Sequence, residues 1–213
     1  MQIAFSKMNG AGNDFVLVDN RDDQVSLSRE QIAQLCHRQR GIGADGLIYL
    51  RNAKNGADWA WKFYNADGSD AEMCGNGARC FARYIQATTD CGRTLSFETV
   101  CGVIRAQIDG ETVTINLTDP QGLELNDSIT TSAGEQTVHS LDTGVPHAVL
   151  FVEEADAAMV SSLGEEIRFH DHFAPAGTNV NFAQILAPGH IRVRTYERGV
   201  GETLACGTGV SAA

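Results

Sequence analysis

Long apolar runs are missing from this chain of 213 residues. No stretch approaches the roughly 18 consecutive apolar residues of a membrane-spanning helix. The start, Met1-Gln2-Ile3-Ala4-Phe5-Ser6-Lys7, lacks the basic segment and apolar core of a signal peptide. Basic residues are in short supply, 16 against 27 acidic, for a formal charge of −11. That balance argues against nucleic acid or an anionic membrane as partner. Lysine is scarcest, present only at Lys7, Lys54 and Lys62, so a Schiff-base mechanism has few candidates. Low-complexity tracts are absent and 43% of residues are apolar, which excludes whole-chain disorder. The six cysteines, at 36, 74, 80, 91, 101 and 206, never form Cys-x-x-Cys, so a zinc ribbon or thioredoxin-type site has no support. No metal is expected. An even cysteine count in a long chain without a secretory leader reads as reduced thiols in a cytoplasmic protein.

What the chain does contain is an internal repeat. Adding 132 carries Gly12 to Gly144, Tyr64 to Tyr196, Cys74 to Cys206, Gly75 to Gly207 and Gly77 to Gly209. Order and frame are constant, which lifts these matches above chance in a chain with 22 glycines. The repeat implies two similar lobes, each carrying one Cys-Gly-x-Gly. We divide the chain at 1–131 and 132–213. A second lobe as long as the first runs to about residue 264, so this lobe is expected to be incomplete by roughly 50 residues.

Local patterns fill in the lobes. Strands are expected at Ile3–Met8 and Phe15–Asp19, around a glycine turn at 10–12. Ser28 and Gln31 form a capping box, with Leu27 and Ile32 as a hydrophobic staple and Gly41 as a stop. Ile48–Leu50 and Trp59–Tyr64 read as strands and Gly75–Ala87 as a helix. Strands follow at Thr94–Thr99, Val103–Ile108 and Thr112–Leu117, the last two joined at Asp109-Gly110. The polar stretch Asp119–Ser132 reads as a linker. Lobe two is expected to hold strands near Val138–Leu141, Ala148–Val152, Val180–Leu186 and Ile191–Tyr196. Many short strands and few helices give an α+β class: two pseudo-symmetric lobes, each mostly antiparallel strands around a central helix.

Cys74-Gly75-Asn76-Gly77 and Cys206-Gly207-Thr208-Gly209 share one logic. Each places a thiol ahead of two glycines at a helix start, where unpaired N–H groups attract anions and lower a thiol's pKa. A single copy is more simply a small buried cysteine beside a glycine turn. Two copies at one offset favour chemistry. Inverting a carbon centre needs a base on one face and an acid on the other, and a thiolate/thiol pair exchanges those roles. Cys36, Cys80, Cys91 and Cys101 read as packing residues, and His170-Asp171-His172 as a surface loop.

The chain resembles the diaminopimelate epimerase family. The resemblance rests on Lys7-Met8-Asn9-Gly10-Ala11-Gly12-Asn13-Asp14-Phe15, Gly41-Ile42-Gly43-Ala44-Asp45-Gly46 and Phe63-Tyr64-Asn65-Ala66-Asp67-Gly68-Ser69. It continues through Cys74-Gly75-Asn76-Gly77-Ala78-Arg79-Cys80 and from Tyr196 to Gly209. It implies a cofactor-independent isomerase acting on 2,6-diaminoheptanedioate, in lysine and peptidoglycan precursor synthesis, and working as a homodimer. Cys74 and Cys206 are then the acid/base pair, with His147 and Glu197 beside them. Gly75, Asn76, Gly207 and Thr208 bind the reacting end. Asn13, Asn65, Asn179, Glu197 and Arg198 contact substrate, Arg198 suiting the distal carboxylate. Two positions depart from many members: Val145 stands for Asn in Gly-Asn-Pro-His, and Gly46 stands for Gln. Alternatives are an epimerase of proline-like substrates, a Cys74–Cys206 redox switch, and a plain anion-binding module.

Overall fold

A computed structural model describes residues 2–213. The chain divides into two compact units, Met1–Thr118 and Asp119–Ala213.

The first unit is a seven-stranded sheet whose spatial order follows the chain. Strands β1 (Ser6–Gly10) and β2 (Asn13–Asp19) pair antiparallel through a two-residue turn, Ala11-Gly12. Both turn residues have positive φ, 50° and 98°, the twist that suits a tight hairpin. Helix α1 (Arg29–Cys36) carries the chain to β3 (Gly46–Asn52), which lies parallel to β2. A parallel neighbour requires such a crossover. The capping box is present: Gln31 N–H donates to Ser28 Oγ at 3.3 Å, and Ser28 N–H donates to Gln31 Oε1 at 2.8 Å. The helix stops at Cys36, five residues before Gly41, but Gly41 still marks its end. A Cβ on Gly41 would lie 2.1 Å from the Gln34 carbonyl, so only glycine lets the chain double back there.

Strand β4 (Trp59–Asn65) pairs antiparallel with β3, and helix α2 (Gly75–Thr88) follows. Strands β5 (Thr94–Thr99), β6 (Gly102–Asp109) and β7 (Thr112–Ile115) complete the sheet. Helix α2 buries Ala78, Phe81, Ala82 and Ile85, an i, i+3, i+4, i+7 stripe. They pack with Phe15, Ile48, Trp61, Phe63 and Phe97 on one sheet face, while Ile32 and Cys36 of α1 cover Val16, Val18, Leu47 and Tyr49. The Phe81 and Phe97 rings meet edge to face at 4.9 Å. At Gly10 a Cβ would approach Asn76 O to 2.9 Å, so β1 presses directly on the first turn of α2.

The second unit is a six-stranded sheet in the order β13-β12-β11-β10-β9-β8. Strand β8 (Gln121–Thr131) corrects the expected linker. This polar segment pairs with β9 (Gly134–Asp142) as a long hairpin with register shifts, and belongs to the second unit. Eight of its eleven residues are exposed, so no apolar alternation marks it as a strand. Strand β10 (Pro146–Phe151) runs parallel to β11 (Asn179–Ala187), and helix α3 (Val160–Arg168) supplies the crossover. This helix was not anticipated. It has no side-chain N-cap and contains Gly164, which packs against Tyr196 where a Cβ would sit 2.7 Å away. Strands β12 (His190–Glu197) and β13 (Gly201–Thr203) lead to α4 (Gly207–Ala212). Among the described residues no helix is long and apolar enough to cross a membrane.

The repeat is visible in the topology. In each unit an antiparallel strand precedes a parallel pair, β2/β3 or β10/β11. An antiparallel third strand and a Cys-capped helix follow in both.

Candidate active site

Both Cys-Gly-x-Gly segments open a helix, with the cysteine as N-cap. Gly77 N–H donates to Cys74 Sγ at 3.4 Å, and Gly209 N–H donates to Cys206 Sγ at 3.4 Å. The two caps match in backbone as well, both cysteines being extended. A sulfur that accepts from the third residue of a helix takes the place normally held by a Ser or Asp oxygen. Among the described residues all six cysteines are thiols.

In the first unit, Asn76 is buried at the start of α2 and donates from Nδ2 to Asn13 Oδ1 at 2.9 Å. Asn13 in turn donates from Nδ2 to Asp45 at 3.1 Å. The structure therefore brings Cys74, Gly75, Asn76 and Asn13 together. Asp14 and Asp45 brace this corner through Arg38, at 2.8 and 2.7 Å, with Lys7 3.0 Å from Asp14. The Arg38 guanidinium, then Lys7, hold the Asp14 carboxyl down at about 2 against the raising effect of burial. Asn65 ends β4 at the same sheet end, one strand from Gly46, but is exposed. Its amide donates to Ser69 Oγ at 3.0 Å. At Gly46 a Cβ would lie 2.5 Å from Tyr64 O and 2.7 Å from the Phe63 ring. The departure to glycine at 46 is thus built into the packing of β3 on β4.

In the second unit, His147, Asn179, Glu197 and Arg198 gather at one end of β10, β11 and β12. Asn179 is buried and its amide bridges backbone groups: Oδ1 accepts from Arg198 N–H at 2.9 Å and Nδ2 donates to Pro146 O at 3.1 Å. It holds Arg198 in place besides any ligand contact. Arg198 also donates from Nη1 to Ala176 O at 3.4 Å. Glu197 accepts from Thr203 Oγ1 at 2.6 Å. Val145 is buried at the start of this group. Thr208 Oγ1 and Cys206 Sγ lie 3.3 Å apart, and Thr208 O accepts from Thr143 Oγ1 at 3.0 Å.

The thiol chemistry at 206 runs against the expected lowering by a helix start. Burial pushes the Cys206 thiol up to about 11, and the Glu197 carboxylate pushes in the same direction. The Thr208 hydroxyl and the Gly209 and Thr208 N–H groups pull it down but do not prevail. Desolvation wins because only 7% of the residue is exposed. Cys206 is therefore a protonated thiol at neutral pH. His147 is fully buried, and burial, then the Arg198 charge, pushes it down to about 4, so it is neutral.

Sequence reasoning missed Asn181 and Thr195, both wholly or almost wholly buried. Asn181 Oδ1 accepts from Thr195 Oγ1 at 2.9 Å. The available signal was a second asparagine two places after Asn179, on the same strand face within a buried run. Elsewhere, Glu124, Asp127 and His172 bring possible metal-ligand atoms within 4.8 Å of one another, largely exposed.

The family model for diaminopimelate epimerase matches residues 5–122 and 139–213. The chain belongs to the diaminopimelate epimerase family. Relatives of that name include one from Hydrogenobaculum sp., 45% identical, covering 97% of this chain and 79% of the relative. Another, from Aquifex aeolicus, is 45% identical over 98% of this chain and 78% of its own length. Among solved structures, the fold resembles a probable proline racemase from Agrobacterium radiobacter, with TM-score 0.74 and 19% identity over 99% of this chain and 75% of that one. A hydroxyproline epimerase from Agrobacterium vitis also gives 0.74 at 19% identity, over 98% and 74%. These two likenesses speak to the fold alone. The expected α+β two-lobe architecture and isomerase class stand on these matches.

Proposed function

We propose that this diaminopimelate epimerase interconverts LL- and meso-2,6-diaminoheptanedioate with Cys74 and Cys206 as a base/acid pair. One thiolate takes the α-proton: the C–H bond breaks and an S–H bond forms. The carbanion that remains is stabilised by its own carboxylate, held by backbone N–H groups of the capped turns. The opposite thiol then gives its proton to the other face of the same carbon. One proton is removed and one delivered, so the reaction balances without a cofactor, and the two sulfurs have exchanged states.

Burial favours the protonated form of the Cys206 thiol, the form that donates a proton. Gly75, Asn76, Gly207 and Thr208 receive the reacting end. Arg198 binds the distal carboxylate, with Asn13, Asn65 and Asn179 completing the contacts and His147 and Glu197 flanking the thiols. The protein acts as a cytoplasmic homodimer in lysine and peptidoglycan precursor synthesis, and six thiols suit a reducing compartment.

The observation that carries this reading is the repeated cap, the same sulfur-to-N–H distance on two cysteines 132 residues apart. The test is α-proton exchange. Reduced protein with the LL isomer in heavy water should lose the α-proton NMR signal as the meso isomer appears. Cys74→Ala and Cys206→Ala should each abolish epimerisation. Folded, reduced protein that leaves the signal untouched removes this substrate.

A further inference from the structure

The two units solve one packing problem in different ways. The register aligns Phe15, Ile48 and Phe63 of the first unit with His147, Asn181 and Thr195 of the second. Leu17 pairs with Ile48 as Val149 pairs with Asn181, and Ile48 pairs with Phe63 as Asn181 pairs with Thr195. In the first unit this trio is ordinary core. Phe15 and Phe63 stack edge to face at 5.9 Å, and Phe15 and Ile48 lie under Gly77 of the Cys74-capped turn. In the second unit, Asn181 and Thr195 lie under Gly209 of the Cys206-capped turn. The fold itself does not require polar groups there, and burying them is costly unless they are bonded.

Their bonding decides the state of His147. Asn181 Nδ2 lies 3.0 Å from Ala148 O and 3.1 Å from His147 Nδ1. A backbone carbonyl only accepts, so the atom facing it is the amide nitrogen. That nitrogen only donates, so His147 Nδ1 must accept. A neutral imidazole then carries its proton on Nε2. His147 Nε2 is buried and has no partner among the described residues. A buried N–H without a partner is rare in a protein that uses it for nothing.

We infer that Asn181 is a positioning residue that holds His147 as the neutral Nε2–H tautomer, keeping one buried hydrogen-bond donor ready for the bound amino acid. The role rests on the epimerase reading. It assigns His147 no proton transfer: Nε2 already carries a proton and Nδ1 is occupied. Proton traffic is left to the thiols. Burial and the Arg198 charge favour the same neutral state.

Long-range 1H–15N correlation on 15N-labelled protein distinguishes the two tautomers, with the His147 signal assigned by its loss in His147→Gln. The expected wild-type result at neutral pH is protonated Nε2 and unprotonated Nδ1. In Asn181→Asp the ionised side chain can only accept from the ring, so above the pH at which that carboxyl loses its proton the ring proton should move to Nδ1. The epimerisation rate should then fall by about tenfold or more, as when a residue that sets a histidine tautomer is changed. A wild-type ring protonated on Nδ1, or averaging between tautomers, overturns the inference. So does an Asn181→Asp spectrum that keeps the wild-type pattern once the carboxyl is ionised. If that variant does not fold, the wild-type spectrum still decides. Absence of α-proton exchange in the wild type would count against the epimerase reading and leave the tautomer result standing.

Discussion

Gly77 and Gly209 are the same residue of the same motif, yet alanine should affect them differently. Both lie inside helices, where Ala is preferred over Gly by up to about 1 kcal/mol. At Gly77 a Cβ would meet Ile48 Cδ1, Phe15 Cζ and Cys74 Cβ at 3.4, 3.4 and 3.5 Å, close to ordinary contact. Gly77→Ala should therefore be neutral or stabilising by up to about 1 kcal/mol. At Gly209 a Cβ would lie 2.2 Å from Asn181 Oδ1 and 3.2 Å from Thr195 Oγ1. Asn181 has nowhere cheap to go. Its Oδ1 accepts from Thr195, and its Nδ2 serves Ala148 O and His147. Displacing it breaks at least one buried hydrogen bond at about 1–3 kcal/mol, with overpacking of about 1–3 kcal/mol besides. Less the helix gain, Gly209→Ala should lose about 1–5 kcal/mol. Urea unfolding of both variants, read by midpoint at constant slope, is the assay. A Gly209→Ala midpoint at or above wild type, or a larger loss at Gly77 than at Gly209, would refute the reasoning.

Burial sets three thiols apart. Cys36, Cys80 and Cys206 are each pushed up to about 11, chiefly by burial. Unfolded thiols ionise from about 8.5 upward while the folded ones stay protonated, so stability should fall as pH rises from there to about 11. Flat denaturation midpoints across that range would contradict it. Alkylation of Cys206 at pH 7.5 should be slower than for an ordinary exposed thiol by about two orders of magnitude, and Glu197→Gln should speed it. Peptide mass spectrometry after timed labelling reads both. Asp14, held near 2 by Arg38 and Lys7, contributes stability that is present above the ordinary Asp value and lost as pH falls through about 2. Asp14→Asn should flatten the acid limb of the stability curve. Ser28→Ala should cost about 1 kcal/mol, measured by thermal unfolding, because it removes half of the capping box.

Local chemistry made much of this molecule readable. The Ser28–Gln31 cap, the stripe on α2 and the strands around Phe15 and Trp61 depend on near neighbours, and periodicity reports them directly. The internal offset of 132 located both cysteine caps, because a helix start and its glycines are local features. Strand β8 escaped for the opposite reason. Its exposed residues are held by hydrogen bonds to β9, so its partner rather than its own pattern makes it a strand. Helix α3 escaped because its start carries no capping side chain and Gly164 interrupts it, a residue that packing on Tyr196 demands.

Within the site the division is similar. Which residues are proposed to bear chemistry followed from sequence: two thiols, each ahead of two glycines. What those groups do in place was set by tertiary structure. The shift of Cys206 depends on how much water reaches it, and burial there outweighs the local N–H groups that favour a thiolate. The asparagine at 179 spends its amide on Arg198 and Pro146, residues 19 and 33 positions away. The buried pairing of Asn181 with His147 spans 34 positions. Short-range order is written in neighbouring residues because backbone geometry and capping act over a few positions. Solvation and proton placement are set by groups brought together across a sheet, and no spacing along the chain records them.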